Sequence, residues 1–174
     1  MTINRLDCIL LYLKFPLLSD KMPYTSIQEY RCHFLDEGQI DPPIILIHST
    51  GTGSWQWNKY LELLKPRRMI IPDLLGYAPT DPWKENSVPS HQVDYELVEK
   101  ILLQQNNPVS LIGHSYGGFL ALQLAKKHPK RITSLLLHEP VTWGVLQHSD
   151  KYHLQHSFCH LLDNCIIYII YLVR

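Results

Sequence analysis

The sequence predicts an α/β fold: a mostly parallel sheet with helices on both faces. Three observations carry this. Residues 44–47, 68–71, 109–112 and 132–137 have the length and apolar content of buried strands. Stretches with apolar residues at helical spacing separate them, and strands that alternate with helices imply parallel pairing through right-handed crossovers. The third observation is Gly113-His114-Ser115-Tyr116-Gly117, a sharp turn from one such strand into one such helix.

Taken in order, 26–30 and 31–35 suit an early hairpin. The strand 44–47 is introduced by Pro42-Pro43. Trp57, Tyr60, Leu61 and Leu64 give 55–64 a helical period, and the strand 68–71 ends at Pro72-Asp73. Val93, Leu97, Val98, Ile101 and Leu102 form a broad apolar face for a helix over 92–103. The strand 109–112 then leads into a helix packed through Phe119, Leu120, Leu122, Leu124 and Ala125. Two lysines, His128 and Pro129 close that helix. The strand 132–137 ends the pattern.

The ends differ from the middle, so the chain divides into a flank outside the fold (1–22), a core (23–147) and an atypical tail (148–174). The apolar residues near 9–13 are interrupted by Asp7 and Lys14. That run is too short for a bilayer span, which takes about 20 apolar residues, and it lacks a small-residue cleavage site. The apolar run 165–173 is also too short to span and has the β-branched and aromatic content of a strand, suited to covering an open sheet edge.

Of 174 residues, 45% are hydrophobic, enough for one domain with a core. Basic and acidic residues balance at 16 each, with no long run of either sign, which argues against nucleic-acid binding. Cys8, Cys32, Cys159 and Cys165 are scattered and read as reduced thiols in a cytoplasmic protein.

Chemistry is expected beyond the carboxyl ends of the parallel strands. There the strained turn presents Ser115 as a nucleophile at the head of a helix. Attack on a carbonyl creates an oxyanion that backbone N–H groups must meet. One donor is Tyr116, the residue after the nucleophile. The other is expected from the loop "IHSTGTGSWQW", at Thr50 beside Ser49, where Gly51 and Gly53 let the chain fold tightly. The same loop begins G-x-G like a phosphate cradle, but Gln56 stands where a third glycine belongs and no G-K-[ST] follows.

These stretches, with "PDLLGYAPTDPW" and "LIGHSYGGFLALQLAKKHPKRITSLLLHEPVTWGVL", resemble the α/β-hydrolase superfamily over about 24–146. The resemblance implies an esterase-like serine hydrolase that needs no cofactor and acts on a small ester, amide or related carbonyl substrate. Epoxide and haloalkane members of the superfamily carry an aspartate at the elbow, where this chain has Ser115. In the family the triad acid and histidine follow the last two strands. The sequence from Gln147 does not resemble that continuation, which implies the N-terminal half of the fold, truncated after its sixth strand, with acid and base unassigned.

The alternative is an inactive remnant or interaction module that self-associates through an uncovered sheet edge. With elbow and hole formed but no base present, the isolated chain is expected to turn over an activated ester barely above background. In the tail, His153, His156 and His160 would share a helix face, as a base or metal site would need; a polar, histidine-rich tail is the preferred reading, with no metal. His48 is expected to brace the oxyanion loop, His114 to pack beneath the turn and Asp73 to brace the Gly76-Tyr77 loop. Glu139-Pro140 is read as a strand-ending pair. Trp55, Trp57, Tyr77, Trp83 and Trp143 divide between core and acyl pocket.

Overall fold

Alternation along one strand sets the layers. In the computed structural model, which describes residues 23–141 and the backbone of 168–172, Ile44 and Leu46 belong to one apolar cluster while Ile45 and Ile47 belong to another. A strand that is apolar on both faces must be covered on both. The strands are β1 (Tyr24–Ile27), β2 (Tyr30–Glu37), β3 (Ile40–Ile47), β4 (Arg67–Pro72), β5 (Val109–His114), β6 (Ile132–His138) and β7 (Tyr168–Leu172). They form one sheet in the order β1-β2-β4-β3-β5-β6-β7. The central strands β4, β3, β5 and β6 run parallel, while β1, β2 and β7 pair antiparallel at the margins.

Helices α2 (His91–Leu103) and α3 (Tyr116–Lys127) cover one face, burying Leu97, Val98, Ile101, Leu120 and Leu124 against Ile45, Ile47, Leu111 and Leu137. The short α1 (Asn58–Leu64) lies on the other, with Leu61 and Leu64 against Ile44, Leu46, Met69 and Ile71. The Ser90 hydroxyl caps α2 by accepting from Gln92 N–H.

Several boundaries differ from the sequence reading for local reasons. The hairpin turns at Gln28-Glu29, with Gln28 at φ 52°, two residues earlier than the 30/31 boundary expected. Pro42-Pro43 sits inside β3, in a register shift between Ile40 and Ile44; prolines have no N–H for the ladder, so the pairing with β4 slips there. Residues 54–57 wind as a 3-10 turn before α1, because the Ser54 N–H is drawn to the Asp73 carboxylate. α3 begins at Tyr116, ahead of its apolar period, since Gly117 and Gly118 serve close approach instead of burial.

The β6 edge, which the truncated pattern leaves open and the run 165–173 is suited to cover, carries β7 in antiparallel register from Ser134↔Leu172 to His138↔Tyr168. The tail histidines, Trp143, Cys8, Cys159 and Cys165 lie outside the residues whose side chains are described.

Chain order reverses at β3. From β3 the chain crosses to β4 on one side and later returns to β5 on the other. The loops leaving the carboxyl ends of the adjacent parallel strands β3 and β5 therefore lie at one end of the sheet, at the switch point where open α/β sheets bind ligands.

Candidate active site

Ser115 occupies one residue between β5 and α3, at φ 52° and ψ −112°. An L-residue held there costs about 1–3 kcal/mol, so its surroundings must over-determine it. They do so through backbone bonds: Ser115 N–H donates to His138 O at 2.8 Å, and Ser115 O accepts from Phe119 N–H at 3.1 Å and Val141 N–H at 3.2 Å. Strand β6 and the chain beyond it thus grip the turn. The flanking glycines answer to close packing. A Cβ on Gly113 would stand 2.6 Å from Gly117 C, and one on Gly117 would stand 2.6 Å from His48 O and closer still to Ile47 O. The first turn of α3 is therefore pressed against the end of β3, beside the loop that carries Thr50. Ser115 itself is partly exposed.

The loop after β3 is held from three sides. Ser49 N–H donates to Gln56 Oε1 at 3.0 Å, and Gly51 N–H donates to Tyr77 Oη at 2.8 Å. Between them, Thr50 N–H has no acceptor among the described residues. His48 lies beneath, buried, donating from Nδ1 to Ser49 O at 2.8 Å and accepting Leu74 N–H on Nε2 at 3.0 Å. Both ring nitrogens are used and the ring is neutral, with burial lowering its pKa below the ordinary 6.5. The bracing role expected of His48 is what the geometry displays.

Asp73 differs from expectation. Its buried carboxylate accepts from Ser54 N–H at 2.6 Å and pairs with His33 Nδ1 at 2.7 Å, so it braces the far end of the loop after β3. Toward the Gly76-Tyr77 loop it offers only its backbone carbonyl, to the Thr80 hydroxyl at 2.7 Å. His114 is tied at Nδ1 to Gln56 Oε1 at 3.2 Å and packs on His138, with ring centroids 4.6 Å apart. Burial first, and His138 second, lower the His114 pKa.

Tyr116 opens α3, so its N–H is among the first-turn amides without an intrahelical acceptor. Its phenol donates to Asp94 Oδ2 at 2.9 Å, while Asp94 Oδ1 accepts Leu75 N–H at 2.7 Å. Burial, then Asp94, pushes the Tyr116 hydroxyl pKa well up, and burial raises that of Asp94. The carboxylate joins the elbow to the loop that bears Tyr77.

Among the aromatics, Trp57 is buried beneath α1, and Trp83 packs against the main core and edge-on to Tyr30; both are core, not pocket. Tyr77 stands edge-on to His48, and Trp55, half exposed, flanks Gly53 at the mouth of the loop. Glu139, at φ 47°, follows β6 directly, and Pro140 packs against Gly118.

Sequence reasoning missed Gln56, Asp94 and the hydroxyl of Tyr77. Asp94 had a signal, a charge on the apolar stripe of α2 three and four residues before Leu97 and Val98. Gln56 had none. Among the described residues no group of three or more His, Cys, Asp or Glu is placed to hold a metal, and no helix is long and apolar enough to cross a membrane.

Comparison with known proteins bears on the family. A family model described as alpha/beta hydrolase fold matches residues 42–161. The 2-hydroxymuconate semialdehyde hydrolase of a Pseudomonas species is 35% identical over 105 residues, which are 55% of this chain and 35% of that protein. A haloalkane dehalogenase of Mycolicibacterium paratuberculosis is 31% identical over 129 residues, 71% of this chain and 43% of that one. The chain thus spans less than half the length of either relative. The solved thioesterase domain from the curacin biosynthetic pathway shares the fold, with a TM-score of 0.65 at 22% identity, covering 80% of this chain and 52% of that one. Because the matched stretch takes in most of the sequence, and with it both the elbow and the loop that faces it, the chain belongs to the α/β-hydrolase fold family.

Proposed function

We propose that this chain carries the nucleophile and oxyanion hole of a serine hydrolase that acts on a small ester, amide or related carbonyl compound. The observation that carries this reading is the state of three successive amides beyond β3. Ser49 and Gly51 N–H are taken by side chains, and Thr50 N–H between them is left open, beside the elbow. Tyr116 N–H, at the head of α3, is the second donor, aided by the positive end of the helix. Ser115 Oγ attacks the carbonyl carbon as its proton passes to a general base. The carbonyl oxygen becomes an oxyanion held by the two amides. Collapse expels the alcohol or amine and leaves an ester on Ser115, which water hydrolyses by the same steps. Each hole donor is worth about 10²–10³ in rate. A serine attack of this kind calls for no cofactor, and the buried free thiol of Cys32 suits a reducing, cytoplasmic setting.

One observation favours a second reading, an inactive remnant or interaction module that associates through an edge strand of the sheet, β1 or β7. Among the described residues no hydrogen bond engages Ser115 Oγ, so its hydroxyl has no base in place there.

A fluorophosphonate probe applied to folded, monodisperse chain distinguishes the two. Weak labelling confined to Ser115 and abolished in Ser115→Ala, with p-nitrophenyl acetate turnover barely above background, supports a competent elbow and hole without an efficient base. Rapid labelling lost in Ser115→Ala means that the chain supplies the base as well. No labelling at Ser115 overturns the hydrolase reading and leaves the interaction module.

A further inference from the structure

Gln56 Oε1 lies within hydrogen-bond distance of four groups: Ser49 N at 3.0 Å, Ser49 Oγ at 3.0 Å, Thr52 Oγ1 at 2.9 Å and His114 Nδ1 at 3.2 Å. An amide oxygen has two lone pairs, so it cannot serve four donors equally. The two hydroxyls have other acceptors: Ser49 Oγ reaches Thr50 O at 3.3 Å, and Thr52 Oγ1 reaches Ser49 O at 2.8 Å. The donors with no alternative are Ser49 N–H, from the loop beyond β3, and Nδ1–H of His114, from the strand that ends in the elbow. Their number matches the lone pairs. Because Ser49 N–H can only donate, the atom facing it is the amide oxygen, and an oxygen that only accepts requires the proton on His114 Nδ1.

From this we infer that Gln56 is a positioning residue for the oxyanion hole, one amide oxygen that holds the Thr50 loop and the Ser115 elbow in a single register. The inference rests on the hydrolase reading above for its functional meaning, while the link itself is a property of the fold. The two hole amides belong to different elements, Thr50 to the β3 loop and Tyr116 to α3, and a hole works only if both point at one place. Backbone packing of Gly117 against Ile47 and His48 sets their separation. Gln56 sets their rotation, because it grips the amide immediately before Thr50 and the side chain immediately before Ser115. On the far side of Thr50, Tyr77 Oη fixes the next amide. Gln56 touches no reacting atom.

The test uses the full chain with Gln56→Leu, which removes the acceptor at similar volume, and Gln56→Glu, which keeps it and adds charge. Two readouts are taken: the rate of fluorophosphonate labelling at Ser115, and the His114 tautomer and titration by ¹⁵N NMR. His138 and Glu139 face the same ring and are unchanged in both variants. Gln56→Leu is expected to slow labelling about tenfold or more, with Gln56→Glu recovering most of the loss. His114 is expected as the Nδ1–H tautomer in the parent chain, with its pKa rising by about one unit in Gln56→Glu as a carboxylate replaces the amide. Labelling unchanged in a folded Gln56→Leu overturns the positioning role, and so does an Nε2–H tautomer or an unmoved titration in Gln56→Glu. If the parent chain does not label at all, the hydrolase reading fails and the NMR readout alone decides the link. If Gln56→Leu does not fold, Gln56→Glu still decides it through the same titration.

Discussion

His48 and Asp94 are buried ionisable groups with opposite pH signatures. His48 cannot take a second proton without losing the Leu74 N–H it accepts, and burial holds its pKa below 6.5. The unfolded chain protonates near 6.5, so below that pH it binds more protons than the folded one, and stability falls as pH falls. We expect the unfolding free energy from urea titration to drop on acidification through this window, by at most about 1.4 kcal/mol per pH unit for one proton. His48→Gln should reduce that slope without abolishing it, because His114, also lowered by burial, acts in the same direction. Asp94 works the other way: its raised pKa contributes stability at low pH that is lost as pH rises through the folded value. Asp94→Ala leaves Leu75 N–H and the Tyr116 hydroxyl without their partner, and should cost about 1–3 kcal/mol for each buried group left unpaired, read by chemical denaturation. Asp94→Asn, which keeps an acceptor, should cost less.

At the scale of elements, the junction of β3, β5 and α3 separates two reasons for a glycine. Gly117 is required by space. A Cβ there meets the carbonyl oxygens of Ile47 and His48, backbone that cannot swing aside. Gly117→Ala should destabilise by about 3 kcal/mol or more and drive α3 off the end of β3. Gly51 has open space around its Cβ position but sits at φ 76°, so Gly51→Ala should cost only about 1–2 kcal/mol, from backbone conformation alone. Equilibrium denaturation of the two variants checks the order, and equal costs would contradict it. The same junction shows why the turn chemistry at Ser115, and not the apolar period, marks the start of α3. Apolar spacing reports burial from Phe119 onward, whereas Tyr116, Gly117 and Gly118 answer to the turn.

For the whole molecule, β7 is the element least expected from the family pattern and the one with the clearest consequence. It pairs along β6, whose ladder would otherwise be an open parallel edge. Removing residues 165–174 should shift the chain toward larger, concentration-dependent species in sedimentation velocity, while an unchanged profile would show that this pairing does not guard the edge. Much of this architecture could be read directly from the residues: the alternating strands and helices, the elbow at Ser115, the loop at Thr50 and the apolar run 165–173 as strand material. Periodicity and turn chemistry are local, and a G-x-S-x-G turn between two patterned runs has few other ways to fold. Contacts distant in sequence were not legible. That Gln56 meets His114, that Asp94 meets Tyr116 and that Asp73 turns to His33 all follow from strand order, which places β3 between β4 and β5. What the sequence determined alone is therefore the order and type of the central elements and which serine the turn presents. Only the tertiary structure decided which side chains hold the Thr50 loop and the elbow to each other, because a hydrogen bond between distant residues is chosen by packing, and no local pattern encodes its partner.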